Sequence, residues 1–241
     1  METKEIKEFY NTTLQSSKNV YENDRWFVNG QSKSAYYSTL RAVEKYASPL
    51  LQEVKSVFEL GPGPGTWTKI MLMSAPEADY ELVDISKEML GQAQAALADF
   101  SNIKYTVSDI LDFSPEKKYD FFFSSRMIEY VPEKKLAVKT IVDALQPNAY
   151  GYIVTKTPQY NRLFRRKSRT KIHTYQISPE DLSALVAQAG CQIKQQVHVT
   201  CVFPKLGSGP LDTLLTRIST VLPFWVMRGV SESYALVFQK Q

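Results

Sequence analysis

Apolar and polar positions along this chain follow two rhythms in turn. Short apolar runs bounded by turn residues read as strands: "VKSVFEL" (54–60), "ADYELVDI" (78–85), "IKYTVSDI" (103–110), "YDFFFSS" (119–125) and "AYGYIVTKT" (149–157). Between them lie stretches with helix periodicity. These are "TWTKIMLMSA" (66–75), then "KEMLGQAQAALADF" with Ser86 as its N-cap, then "PEKKLAVKTIVDAL" with Pro132 in its first turn. The "FFF" run is of the kind buried on both faces of a sheet. Such alternation predicts a parallel sheet with helices on both faces and right-handed crossovers.

The two ends depart from this rhythm. Residues 1–52 read as helices threaded with aromatics, with Tyr37, Leu40 and Val43 on one face of "SAYYSTLRAVEKYASPLL". After a basic loop at 158–177 comes the helix "SPEDLSALVAQAG" (178–190). Ser178 is its N-cap, Pro179 its N1, Asp181 stands at the capping-box position and Gly190 ends it. "CQIKQQVHVTCVF" is strand-like, "LDTLLTRISTVLPFWVM" is strongly apolar, and "SESYALVFQK" closes as a strand. The boundaries expected are a helical cap over 1–52 and a main domain over 53–241, with insertions at about 158–177 and 203–230.

A chain of 241 residues suits one α/β domain with elaborations. A net charge of +4 is too mild to call for nucleic acid. The charged N-terminus lacks the apolar core of a secretory signal, and no apolar run is long enough to span a bilayer. A cytoplasmic protein with free Cys191 and Cys201 is expected. With two histidines, His173 and His198, and no metal-ligand spacing, no metal is expected.

The chemistry concentrates in "ELGPGPGTW". Its glycines Gly61, Gly63 and Gly65 follow a strand and precede a helix, where open α/β folds bind ligands. A nucleoside triphosphate loop would need a lysine at the helix start, where Thr66, Trp67 and Thr68 stand. Pro62 and Pro64 also remove two N–H donors that phosphates would use. The dinucleotide pattern wants a small third residue, and Thr66 is there. S-adenosylmethionine has no phosphate and fits better. The turn lets its methionine portion approach closely. Asp84, 23 residues beyond Gly61, can accept both ribose hydroxyls, and Asp109 can stand near the adenine amino group. Asp84 as a plain helix cap and Asp109 as a turn residue are the competing readings, and Trp67 reads as helix packing.

"VFELGPGPGTWT", "YELVDISKEML", "YTVSDILDF" and "YDFFFSSRMIEYVP", in this order and spacing, resemble the class I S-adenosylmethionine-dependent methyltransferases, most closely the small-molecule branch called type 11. The resemblance covers about 54–157 well and 173–190 more loosely. It implies a Rossmann-like, seven-stranded, mostly parallel sheet with an antiparallel last strand, helices on both faces and a helical N-terminal lid. It also implies site roles. Glu59 and the glycines contact the methionine portion, and Asp84 with Ile85 holds ribose and adenine. Asp109 and Ile110 frame the adenine, while Ser124, Ser125 and Arg126 line the methyl-donor side.

The expected reaction is methyl transfer to a small-molecule or biosynthetic acceptor at oxygen, leaving S-adenosylhomocysteine. An oxygen acceptor usually needs a base. His173 is the first candidate, with Glu129 and Tyr130 of "RMIEY" next; Glu129 reads equally as a helix-surface residue. "RRKSRTK" (165–171), beside the apolar insertion, points to an amphiphilic or anionic acceptor or a peripheral membrane contact, or is a solvated loop. An RNA or protein methyltransferase using that loop, and a cofactor-binding protein without catalysis, are the alternatives.

Overall fold

The structure is a computed structural model, and it describes residues 5, 8, 12, 21–159, 175–201 and 230–241. Seven strands form one sheet: β1 (Ser56–Leu60), β2 (Asp79–Asp84), β3 (Ile103–Val107), β4 (Tyr119–Ser125), β5 (Leu145–Lys156), β6 (Cys191–Cys201) and β7 (Ser231–Lys240). Their order is β3-β2-β1-β4-β5-β7-β6. Strands β1 to β5 pair in parallel, and β7 runs antiparallel between β5 and β6. The closing strand is antiparallel as the resemblance implied, and it sits inside the sheet.

Among the described residues six helices accompany the strands: α1 (Tyr21–Trp26), α2 (Gly30–Tyr46), α3 (Thr66–Ser74), α4 (Lys87–Ala96), α5 (Lys134–Asp143) and α6 (Pro179–Gln188). Local chemistry starts three of them. Asn29 Oδ1 accepts from Ser32 N, Ser86 Oγ from Met89 N and Ser178 Oγ from Asp181 N, each satisfying an orphan N–H of a first turn.

Alternating side chains feed two apolar clusters, one on each face of the sheet. Phe58 and Phe122 join Phe113, Ile141, Leu182 and Tyr234 in one. Val57, Phe121 and Phe123 join Trp67, Met71, Leu90 and Tyr152 in the other. The second cluster also takes Trp26, Ala42, Val43 and Leu51, so the described N-terminal helices pack on the same core.

Several boundaries move from their expected places. Helix α5 begins after Glu133, leaving Pro132 ahead of the helix instead of in its first turn. Strand β5 begins at Leu145, four residues earlier than its pattern suggested. "QPN" (146–148), which lies between the expected helix and strand, is an irregularity between the Tyr119–Leu145 and Phe121–Tyr150 pairs, with Asn148 at φ 66°. Pro49 replaces the expected end of α2 with a short 3-10 turn, Ser48–Leu51. Cys191 and Cys201 are both buried, and neither is in a disulfide. Among the described residues no helix is long and apolar enough to cross a membrane. The 165–171 stretch and 203–229, most of the apolar insertion, lie outside the described residues.

Gly151 on β5 tests this packing. A Cβ there would lie 2.1 Å from the ring of Phe238, across the β5–β7 pair. Gly151→Ala is expected to cost about 1–3 kcal/mol through overpacking. Adding Phe238→Leu should recover part of that loss. Urea unfolding of the two single variants and the double variant measures it, and purely additive effects would contradict the contact.

Candidate active site

The β1–α3 connection, Gly61 to Gly65, alternates glycine with proline. All three glycines lie in the left-handed region, at φ 71°, 56° and 87°. Only glycine takes those angles without strain, while each proline holds its own φ near −65°. The five residues carry three N–H groups, and all three are bonded within the protein. Gly61 N donates to Val83 O at 2.8 Å, Gly63 N to Asp84 Oδ2 at 3.4 Å and Gly65 N to Pro62 O at 3.1 Å. The turn therefore offers a close-fitting backbone surface and no donor nest for phosphate. A Cβ on Gly61 would meet Met127 at 2.7 Å, so the glycine also keeps the chain after β4 close to the turn.

The rim of the cleft is laced by backbone bonds between neighbouring strand ends. Ser108 N reaches Asp84 O at 3.0 Å, and Arg126 N reaches Val154 O at 2.8 Å. Asp84 ends β2 and lines the cleft. Its Oδ1 accepts from Ser86 N at 2.9 Å, which is the helix-start contact, and Oδ2 faces Gly63 N. Each carboxylate oxygen keeps acceptor capacity for a ligand hydroxyl. Burial raises the Asp84 pKa to about 6, against the lowering effect of these backbone bonds. Ile85, Met89, Ser108, Asp109 and Ile110 continue the wall. Asp109 also makes a turn: its Oδ1 accepts from Leu111 N at 3.0 Å.

Glu59 and Ser124, expected to touch the ligand, are placed behind the cleft wall. Glu59 is buried under the turn and accepts from Thr68 Oγ1 at 2.7 Å. Burial, together with the charge of Asp84 and against that hydrogen bond, pushes its pKa up to about 8. Ser124 donates to Leu60 O at 2.9 Å and ties β4 to β1. The period of two along a strand is the cause, since one of the consecutive residues Ser124 and Ser125 must face away from the cleft.

Ser125, Arg126 and Tyr130 line the cleft. Arg126 stands at φ 65° just past β4. Glu129 does not line it, and the expectation of a surface residue is corrected. It is fully buried in the 3-10 turn Ile128–Tyr130. Its carboxylate accepts from Arg126 Nε at 3.0 and 3.3 Å, Thr155 Oγ1 at 3.0 Å and Lys156 N at 3.0 Å. A carboxylate so engaged is an anchor for Arg126 and is poorly placed to collect a proton from an acceptor. His173 lies outside the described residues. His198, on β6, is not part of the cleft.

The opposite wall comes from α1: Tyr21, Arg25 and Trp26 face the turn. Trp26 and Tyr36 pack on Trp67, with ring centroids 5.8 and 5.5 Å away, so Trp67 serves packing as expected while its edge borders the cleft. No motif in the sequence marks Tyr21, Arg25 or Trp26 as site residues. The aromatic density of 1–52 was the available signal, but nothing local says which of its residues meet a turn 35 positions later.

Glu59 makes the turn's electrostatics measurable. Its proton is held to about pH 8 in the fold, whereas an ordinary glutamate loses it near 4.5. The folded form thus binds the proton more tightly, and its contribution to stability, full below 4.5, is lost as pH rises toward 8. Asp84, raised only to about 6, contributes to the lower part of that window. Glu59→Gln is expected to flatten the decline in urea midpoint between pH 6 and 8. An unchanged slope would place the titration elsewhere.

A family model described as "Methyltransferase domain" matches residues 33–196. Malonyl-[acyl-carrier protein] O-methyltransferase 2 of Ilyobacter polytropus is 30% identical over 106 residues, 44% of this chain and 40% of that protein. Trans-aconitate 2-methyltransferase of Escherichia coli is 29% identical over 117 residues, 48% of this chain and 44% of that protein. The chain thus spans under half the length of the curated relatives it matches. Among solved structures, the N-methyltransferase NodS of Bradyrhizobium japonicum, in complex with S-adenosyl-L-homocysteine, superposes with a TM-score of 0.63. It is 14% identical, covers 96% of this chain and 97% of its own, and shares the fold. The matched segment contains the β1–α3 turn, Asp84, Asp109 and Arg126, and the chain belongs to this family of S-adenosylmethionine-dependent methyltransferase domains.

Proposed function

We propose that the chain transfers a methyl group from S-adenosylmethionine to an oxygen of a small-molecule acceptor. The observation that carries this reading is the β1–α3 turn, whose three N–H groups are all bonded inside the protein, set beside Asp84. That pair of features suits a ligand with a ribose diol and no phosphate. Asp84 would hold the diol through charge-assisted hydrogen bonds. Ile85 and Ile110 would sandwich the adenine, with Asp109 at its edge, and the turn would border the methionine portion. Bound S-adenosylmethionine supplies an already activated methyl group. The chain's own residues then have to orient the acceptor in line and keep water out. Trp26, Met127 and Val131 give the cleft apolar cover for that purpose. The oxygen preference is supported by the O-methyltransferase name of the malonyl-carrier relative.

Titration calorimetry with S-adenosylhomocysteine tests the reading. Binding is expected for the full chain, and its absence in a folded chain would refute it. Asp84→Asn removes the charge from two hydrogen bonds and is expected to weaken binding about 10- to 100-fold. The pH dependence carries a sign. The raised Asp84 pKa of about 6 means the diol-binding form is lost as pH falls below 6. Affinity should be level above that value, drop below it, and lose this drop in Asp84→Asn. Gly61→Ala, whose Cβ would push Met127 from the turn, should weaken the same binding without unfolding the chain.

A further inference from the structure

We infer that the acceptor is a small-molecule carboxylate seated against Arg126 and Ser125, methylated on a carboxylate oxygen to give a methyl ester. This rests on the methyl-transfer reading above and names the substrate class of the same site.

Charge is sorted along the cleft. Its lining acids, Asp84 and Asp109, sit past β2 and β3, on one side of β1 in the strand order. Arg126 sits past β4, on the other side, and Arg25 of α1 also faces the cleft. The ribose and adenine therefore have acids to receive them, and the remaining end of the cleft is cationic.

That end also holds unfinished hydrogen bonding. Arg126 is nearly buried, with a side chain 12% exposed. Glu129 takes its Nε edge, while Nη2 finds no partner among the described residues. Its neighbour Ser125 is 9% exposed, and Oγ likewise has no partner among the described residues. Buried donors are seldom left unmade, because each one costs about 1–3 kcal/mol until a ligand or water completes it. Two adjacent donors, one on a guanidinium, match a carboxylate's oxygens. Since Glu129 occupies the Nε edge, Arg126 offers only its terminal nitrogens. Each oxygen held this way keeps a second lone pair, so hydrogen bonds to Arg126 and Ser125 leave one free to react.

Other acceptor classes fit this end poorly. An ammonium acceptor would face Arg126 and Arg25. A hydroxyl or phenol would need a base, and among the described residues lining the cleft no carboxylate or imidazole stands on the Arg126 side. The phenols lining the cleft, Tyr21 and Tyr130, belong to a type of side chain that keeps its proton near neutral pH, and burial raises the Tyr21 pKa further. A carboxylate needs no base. Its oxygen gives an electron pair to the methyl carbon, and the pair of the broken carbon–sulfur bond stays on sulfur. The acceptor's negative charge and the sulfonium's positive charge cancel, and no proton is released. Glu129 is then a positioning residue, fixing the plane of the Arg126 guanidinium.

The test uses the full chain with S-[methyl-3H]adenosylmethionine and a panel of mono-, di- and tricarboxylic acids, trans-aconitate among them, beside phenols, alcohols and amines. Label is expected on acids alone, and mild alkali should release it as volatile methanol, the mark of a methyl ester. Arg126→Gln should lower kcat/KM for the accepted acid about 100-fold, the scale of losing a buried charged contact. The affinity for S-adenosylhomocysteine, read by calorimetry, should change by less than about threefold, since the inference gives Arg126 to the acceptor and leaves ribose and adenine to the acids past β2 and β3. Arg126→Lys should restore part of the loss. Glu129→Gln should raise KM more than it lowers kcat. Arg126→Gln leaves Glu129 buried and unpaired, so the Arg126→Gln/Glu129→Gln double variant, with both charges removed, provides a second folded comparison. Alkali-stable label, label only on hydroxyls or amines, or no labelled acid from a chain that binds S-adenosylhomocysteine would overturn the inference and leave methyl transfer standing. Loss of S-adenosylhomocysteine binding in the folded Arg126 variants would also overturn it, by assigning Arg126 to the cofactor. A wild-type chain that binds no S-adenosylhomocysteine would instead remove the reading beneath it.

Discussion

The site depends on how five residues satisfy their backbone. Between Leu60 and Thr66 there are three N–H groups, and each finds a partner inside the protein. Two of those partners, Val83 O and the Asp84 carboxylate, belong to the end of β2, so the turn and the acid that lines the cleft beside it form one bonded unit. Prolines at 62 and 64 remove donors that would otherwise be left over, and the three left-handed glycines let the chain reverse without side chains in the way. The surface that results is close and stiff, and poor in donors. That combination separates a sulfonium cofactor from a phosphate-bearing one.

Sheet order then divides the labour. Because β4 lies on the far side of β1 from β2 and β3, the acids past β2 and β3 and the guanidinium past β4 are held apart at opposite ends of one cleft. Arg126 takes a left-handed conformation, with its backbone bonded to β5 and its side chain braced by Glu129. Lys156 and Glu232, 3.1 Å apart, continue the charged network behind it. Burial alone would discourage a cation there. Glu129 and Glu232 more than offset it and keep Arg126 charged.

Much of the fold was legible because its signals are local. A run such as Phe121–Phe122–Phe123 is buried on both faces whatever lies beside it, and Ser86 and Ser178 cap their helices through bonds within three residues. The cleft residues of the strand ends, Asp84, Asp109, Ser125 and Arg126, were legible for a related reason: in a parallel sheet, residues just past a strand share one edge. The errors fall where local pattern is degenerate. "SS" at 124–125 cannot say which serine faces the cleft, and "RMIEY" does not reveal that Glu129 turns inward. The "QPN" of β5 resembles a loop because its irregularity is compensated only by the neighbouring strand.

By itself, the sequence determined the succession of strands and helices, the glycine–proline turn and the kind of cofactor that turn admits. Each of these follows from periodicity, capping chemistry or the dihedral freedom of single residues. Tertiary structure alone decided which distant side chains share the cleft. It brought Tyr21 and Arg25 against the turn, sent Glu59 and Ser124 behind it and paired Arg126 with Glu129. Those placements depend on strand order and on which face a residue presents, and burial of the whole core sets both.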